Sequence, residues 1–396
     1  MPISDSDVLD QVEAHLRQPN QAWLLGAGIS RDSGVPLMYP LTTRVRTMAV
    51  GKNHEVLLQA LSAELDSRAH IEQILSQLGD YTAIAGRSGA GTVTIGGETY
   101  SQVALENAHA AITEDIAETI RWGYIEAQPA NDDHQATDER IGTVGERLTT
   151  VDLHQKFVST LFEKLQAGLH ERRRPINFFT TNYDTLLEDA LALGRYRYWD
   201  GFSGGAIAFL EHRFGDSTPS DGYRAKVIKL HGSIDWTAGD GGEVFRVRET
   251  DVYPTRTGPV LIYPQSTKYV ATQKDPFAAQ FSELRRTLMG ESGSVLAVCG
   301  YSFSDDHIND ELRLALSAPN SRTTMLAFCR EGEGLPVELQ KWRMEFWGKR
   351  IYILTQHGVY CGSEGPLCPP ENGERDWWSF KGLISFLEDG GLGEAL

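Results

Sequence analysis

From residue 176 onward the chain repeats one pattern: a run of about four mostly apolar residues, then a stretch with helical spacing. The runs are 176–179, 227–230, 259–262, 295–298, 325–328 and 351–354. A strand wetted on one face alternates apolar and polar residues, and these do not alternate. They therefore predict a sheet of parallel strands covered on both faces by helices. The fold class expected is α/β, doubly wound.

Two earlier elements belong to the same plan. Val8, Val12 and Leu16 recur every four residues behind Ser4 to Ser6, which predicts a helix ending near Gln18. Ala22 to Leu25 then reads as a strand that runs into a glycine-rich turn, Gly26-Ala27-Gly28-Ile29-Ser30-Arg31-Asp32-Ser33-Gly34-Val35-Pro36. Helical spacing dominates 41–173, in Ile71-Ile74-Leu75-Leu78, in Ala108-Ile112-Ile116-Ile120 and in Phe157-Leu161-Leu165-Leu169. Residues 86–98 and 128–145 interrupt it as polar, Gly-rich or Asp-rich loops or hairpins. The chain has 396 residues, enough for a large α/β domain carrying an insertion. The expected organisation is a first part of a Rossmann-like core in 1–40, an inserted and mostly helical module in 41–173, the rest of the core in 174–360 and a C-terminal helical tail in 361–396.

Charge and cysteine usage narrow the function classes. Lys and Arg number 37 against 54 Asp and Glu, a formal net charge of −17 at pH 7. Such a surface repels phosphate backbones, and Arg172-Arg173-Arg174 and Arg285-Arg286 are short runs, so direct nucleic-acid binding is disfavoured. No run approaches the roughly 18 apolar residues of a membrane helix. The N-terminus lacks the basic start and apolar stretch of a signal peptide, and the protein is expected in the cytoplasm. The 4 cysteines are too few for a disulfide framework. Cys361 and Cys368 lack the tight spacing of a zinc knuckle, and no metal site is expected.

Chemistry gathers directly after the strands. Gly26-Ala27-Gly28 can bring backbone N–H groups close to an anion, yet it lacks the third glycine of the dinucleotide fingerprint, and no GxxxxGK[ST] occurs. Thr180-Thr181-Asn182-Tyr183-Asp184, Leu230-His231-Gly232-Ser233 and Gly300-Tyr301-Ser302-Phe303-Ser304-Asp305-Asp306 each follow a run. The carboxyl ends of strands in an open α/β sheet share one rim, so the four turns are expected to converge on one crevice. Taken singly, each residue has a structural reading as well. Asp184 suits the N-cap of the next helix, as do Ser302, Ser304 and Asp305 for theirs, and His231 suits a satisfied core histidine.

Together the motifs resemble the sirtuin-like family of NAD-consuming proteins. The resemblance rests on Gly26-Ala27-Gly28-Ile29-Ser30 with Ser33-Gly34-Val35-Pro36, on Thr180 to Asp184 and on Leu230-His231-Gly232, and it spans about 22 to 310. It implies that Gly26, Ala27, Gly28 and Ser30 hold NAD phosphates, that Asn182 and Asp184 line the nicotinamide-ribose pocket, and that His231 is catalytic beside Asn182. It also places Gly300 and Ser302 near the adenosine end. The family's deacylases carry a CxxC…CxxC zinc module after the histidine, whereas 232–298 contains no cysteine, so no zinc is expected. Leu37-Met38-Tyr39 replaces the family's Asp-Phe-Arg on one pocket wall.

In these departures the chain is similar to zinc-free, NAD-hydrolysing subunits of bacterial antiphage defence. That likeness implies an NAD⁺ glycohydrolase with NAD⁺ as substrate, releasing nicotinamide and ADP-ribose and depleting NAD in infected cells. A catalytically silent NAD or ADP-ribose sensor ranks second, and a protein deacylase or ADP-ribosyltransferase third. An ungated hydrolase would be toxic, so a homo-oligomer is expected, with a HerA-like ring ATPase as candidate partner. The 41–173 module and the aromatic tail Trp377-Trp378-Ser379-Phe380 offer the contact surface.

Overall fold

A computed structural model describes residues 5–128, 136–165, 174–219, 221–239, 243–248, 260–262, 276–290 and 294–389. Its centre is a nine-stranded sheet in the order Glu364–Leu367, Gly358–Cys361, Ile351–Thr355, Thr324–Phe328, Val295–Cys299, Gln21–Leu25, Ile176–Thr180, Ala225–Lys229, Tyr198–Trp199. The first two of these pair antiparallel, and the others run parallel. The α/β, doubly wound class follows directly from that topology.

Side chains of one strand alternate between two cores. Trp23 and Leu25 enter the layer formed with Val8, Val12, Phe157, Leu161, Phe380 and Leu383. Ala22 and Leu24 face the opposite layer, with Leu284, Leu288, Ile308 and Leu312. Both faces are thus dry, which is why Gln21–Leu25 is buried at every position.

The inserted module has its own core. Helices Met38–Ala49, Glu55–Glu64, Ile71–Arg87 and Gln102–Trp122 bury Val45, Leu61, Ile74, Leu78, Ile112 and Ile116 together. The longest, Gln102–Trp122, starts where the Ser101 hydroxyl accepts from Ala104 N at 3.2 Å and stops at Gly123, whose φ of 92° few other residues adopt. Where a loop or hairpin is expected over 86–98, Thr92–Ile95 and Glu98–Ser101 form a hairpin that runs on to residue 101. The same core takes in Tyr183 from the turn after Ile176–Thr180, Leu186 from helix Leu186–Leu193 and Ile234 from strand Gly232–Ala238, so the module is anchored beside the rim.

Three expectations need correction. Helix Asp152–Ser159 and its continuation Thr160–Leu165 pack in the core of the main sheet, so the described part of the insertion ends near residue 150, before 173. Val260–Ile262 is a strand, but it pairs antiparallel with Gly232–Ala238 in a second sheet ordered Val260–Ile262, Gly232–Ala238, Val244–Val247, Ile207–Leu210, Phe202–Gly204. A three-residue apolar strand carries no mark of which sheet it joins. The region after 361 begins as the edge strand Glu364–Leu367 and turns helical only at Phe380–Asp389. In that tail Trp377, Phe380, Leu383 and Phe386 are buried in the main core, which withdraws the tail as a contact surface. Arg172 and Arg173 lie outside the described residues, as does Leu169.

Candidate functional site

The chain leaves the central strand Gln21–Leu25 toward one side of the sheet and later returns to pair Val295–Cys299 on the other side. This reversal opens a crevice at the carboxyl ends, where α/β sheets hold their ligands. All four sequence-predicted turns meet there. Thr181 N donates to Leu25 O at 3.1 Å, Leu230 N to Thr180 O at 2.8 Å and Gly26 N to Cys299 O at 3.0 Å, which ties the turns to one rim.

The glycines of the first and fourth turns need each other. A Cβ on Gly26 would sit 2.4 Å from Gly300 O, one on Gly28 would sit 2.7 Å from Gly300 Cα, and one on Gly300 would sit 2.6 Å from Ile29 N. Gly300 also has φ of 68°. Gly28 N donates to Gly300 O at 2.9 Å, and Ser30 N to Ala27 O at 3.1 Å. The N–H groups of Gly26, Gly28 and Ser30 are therefore engaged inside the protein, while Ala27 is exposed on the rim. Ser302 is exposed too, its hydroxyl 2.7 Å from that of Ser304.

Asn182 is buried, and its Nδ2 donates to Ser30 Oγ at 3.0 Å. Its Oδ1 is buried with no hydrogen-bond partner. An orphaned buried acceptor is costly unless something else satisfies it, and at the crevice a ribose hydroxyl or a water suits. Asp184 accepts from Leu186 N at 3.1 Å, the first N–H of helix Leu186–Leu193, but the N-cap residue itself is Thr185 and not the expected Asp184. The carbonyl of Asp184 receives the Lys229 ammonium, which also pairs with Glu188 at 3.3 Å. Burial pushes the Glu188 carboxyl up, against the pull of Lys229.

His231 is not a lone core histidine. Its Nε2 lies 3.0 Å from Asp305 Oδ2, with both side chains buried. Asp305 Oδ1 accepts from His307 N at 3.1 Å and Ile308 N at 3.4 Å, so one carboxylate caps a helix and orients an imidazole. The carboxylate thereby fixes the orientation of the His231 ring. Tyr183 follows Asn182 in the same turn, its ring 6.5 Å from the His231 ring and its hydroxyl bonded to Glu72 of the inserted module. Burial first, then the Glu72 charge, hold the Tyr183 phenol well above its ordinary range, so it remains a donor.

Asp305, Glu72, Lys229 and His154 are the residues that the motif reading did not assign to the site. Asp305 had a signal, a strand-end Ser-Asp-Asp, and was read as a cap. Glu72 and His154 carried none, because nothing in their local sequence marks a partner 111 and 124 residues away. Among the described residues, no group of three or more His, Cys, Asp or Glu side chains is placed to hold a metal ion.

A model of the SIR2-like domain matches residues 176–350. That match begins after the glycine turn, which the fold supplies from the central strand. No curated protein matches the chain. Among solved structures, it is similar to a Sir2 homologue with a histidine-to-asparagine mutation, complexed with ADP-ribose. Identity is 12% over 80% of this chain and 84% of that one, with a TM-score of 0.31. A phenylalanine-to-alanine mutant of a Sir2 homologue, also complexed with ADP-ribose, matches at 14% identity over 80% and 84%, with a TM-score of 0.31. Residues 176–350 are thus similar to a SIR2-like domain, and they lie in a doubly wound α/β chain.

Proposed function

We propose that this protein is an NAD⁺ glycohydrolase that releases nicotinamide and ADP-ribose. The observation that carries the reading is the Asn182 carboxamide oxygen, buried without a partner on the same rim as the His231–Asp305 pair. A SIR2-like domain points to chemistry on NAD, and the residues at the crevice suit hydrolysis. Exposed Ala27 and Ser302 would face the diphosphate and adenosine, while Gly26, Gly28 and Gly300 hold the two loops close enough to do so. Asp184 fixes the turn that carries Asn182.

In the reaction the bond from C1′ of the ribose to the nicotinamide nitrogen breaks, and nicotinamide leaves neutral with the bonding pair. The sugar left behind is an electron-poor oxocarbenium-like cation. Asn182 Oδ1 accepts from a ribose hydroxyl or from the water that attacks C1′, which holds the reactants in line. His231, oriented by Asp305, takes the proton that water loses as the new C1′–O bond forms. We further propose that this turnover depletes NAD⁺ in antiphage defence. It would be gated by assembly into a homo-oligomer, with a HerA-like ring ATPase as partner. Val337, Met344 and Phe346, exposed by 68%, 63% and 81%, are apolar side chains available for such contacts.

The test is to incubate purified protein with NAD⁺ and separate the products. Equimolar nicotinamide and ADP-ribose are expected. Bound but intact NAD⁺ would favour a sensor instead, and transfer of ADP-ribose or removal of acyl groups from protein would favour the third class.

A further inference from the structure

Behind the glycine turn lies a buried histidine that the reaction above does not use. His154, on helix Asp152–Ser159, is fully buried, with Nε2 3.4 Å from Ser30 Oγ and Nδ1 3.3 Å from Ser33 Oγ. The Phe380 ring lies 5.0 Å away and helps to hold the imidazole in place. Ser30 Oγ also accepts from Asn182 Nδ2 at 3.0 Å. An unbroken run of hydrogen bonds therefore joins Ser33, His154, Ser30 and Asn182.

Burial lowers the His154 pKa to about 4, outweighing the nearby Asp184 charge, so at pH 7 the ring is neutral and one of its nitrogens accepts. Asn182 Nδ2 fills one of the two acceptor sites on Ser30 Oγ. With the ring proton on Nδ1, toward Ser33 Oγ, Nε2 is left to take the Ser30 proton. Take the imidazole away, and the Ser30 hydroxyl is free to turn and donate to Asn182. A carboxamide offered a donor there is free to flip, which would put NH₂ where the acceptor belongs.

We propose that His154 is a positioning residue: by taking the Ser30 proton it fixes the Asn182 carboxamide with its oxygen left for the substrate. Its catalytic consequence rests on the NAD⁺-hydrolase reading, and its structural consequence does not.

Two measurements test it. In steady-state kinetics on NAD⁺, His154→Leu should lower kcat about tenfold, the scale of a misplaced reacting group, with KM little changed. His154→Gln, whose Oε1 can accept the Ser30 proton, should recover most of the loss. Ser30→Ala should reproduce the loss, and adding His154→Leu to it should cost little more, because the two act as one unit. Additive losses in the double variant, or wild-type turnover in His154→Leu, would overturn the proposal. If His154→Leu does not fold, Ser30→Ala and His154→Gln decide it: wild-type kcat in Ser30→Ala refutes it. Independently of turnover, the ¹⁵N side-chain amide signal of Asn182, assigned by its loss in Asn182→Asp, should shift in Ser30→Ala and in folded His154→Leu and stay near its place in His154→Gln. An unmoved signal in Ser30→Ala contradicts the relay even if the protein hydrolyses NAD⁺. A wild-type protein without NAD⁺ turnover would refute the enzyme while the amide signal still decides the relay.

Discussion

The two sides of the crevice are built on different principles. On the side of Gly26, Gly28 and Gly300, two loops pack backbone against backbone, and what matters is the absence of side chains. On the side of Asn182 and His231, buried polar side chains hold one another, Asn182 to Ser30 and His231 to Asp305. The first side tolerates no addition, and the second tolerates no loss. A change on the glycine side should therefore act on stability, and one on the polar side mainly on chemistry.

The largest expected effect is on the glycine side. Gly28→Val would drive a branched side chain into Gly300, and the expected cost is about 3 kcal/mol, at the upper end of overpacking penalties. Thermal unfolding checks this. A Gly28→Val protein with a wild-type midpoint and weakened NAD⁺ binding would mean that the glycine serves the phosphate directly and not the loop contact.

Next in size is Asp305→Asn. The Asn side chain keeps a cap on His307 and Ile308, since Asn is as good an N-cap as Asp, but removes the charge facing His231. Turnover of NAD⁺ should fall by about tenfold or more while the melting temperature stays nearly constant. Wild-type turnover in Asp305→Asn, with stability lost only in Asp305→Ala, would make Asp305 a cap alone.

How much of this was legible in the sequence follows the same division. Strand runs such as 295–298 and 351–354 were legible because strands dry on both faces lose their alternation, and the four turns could be named because each follows such a run. Asn182, His231 and Asp184 were named by type and place, and the fold brings their turns to one rim. Their pairings were not, because Ser30 lies 152 residues from Asn182 and nothing local to Ser30, Glu72 or His154 records a contact that distant. The glycines were legible as a turn, but the physical need for them, contact with Gly300, is a property of the folded sheet. The second sheet escaped because Gly232–Ala238 is buried at most positions and lacks a clean alternation.

A further expectation concerns pH dependence. His154 is lowered from 6.5 to about 4, so the folded protein refuses a proton that the unfolded chain accepts between those values. Stability is retained above pH 6.5 and lost as pH falls toward 4, by up to about 3 kcal/mol from this group. Below that the loss stops, because both states are protonated. Denaturant midpoints across this window should slope downward in the wild type and flatten in His154→Gln. Parallel slopes in the two proteins would show that another group sets the acid sensitivity.

The central claim is that the four strand-end turns make one NAD⁺-cleaving site. Nicotinamide release by wild type, Asn182→Ala and His231→Ala, each first shown to melt as a folded protein, tests it most directly. The account predicts turnover in the wild type and a loss of about a hundredfold or more in each variant, the scale for removing a positioning group or a general base. Wild-type rates in both folded variants would contradict it.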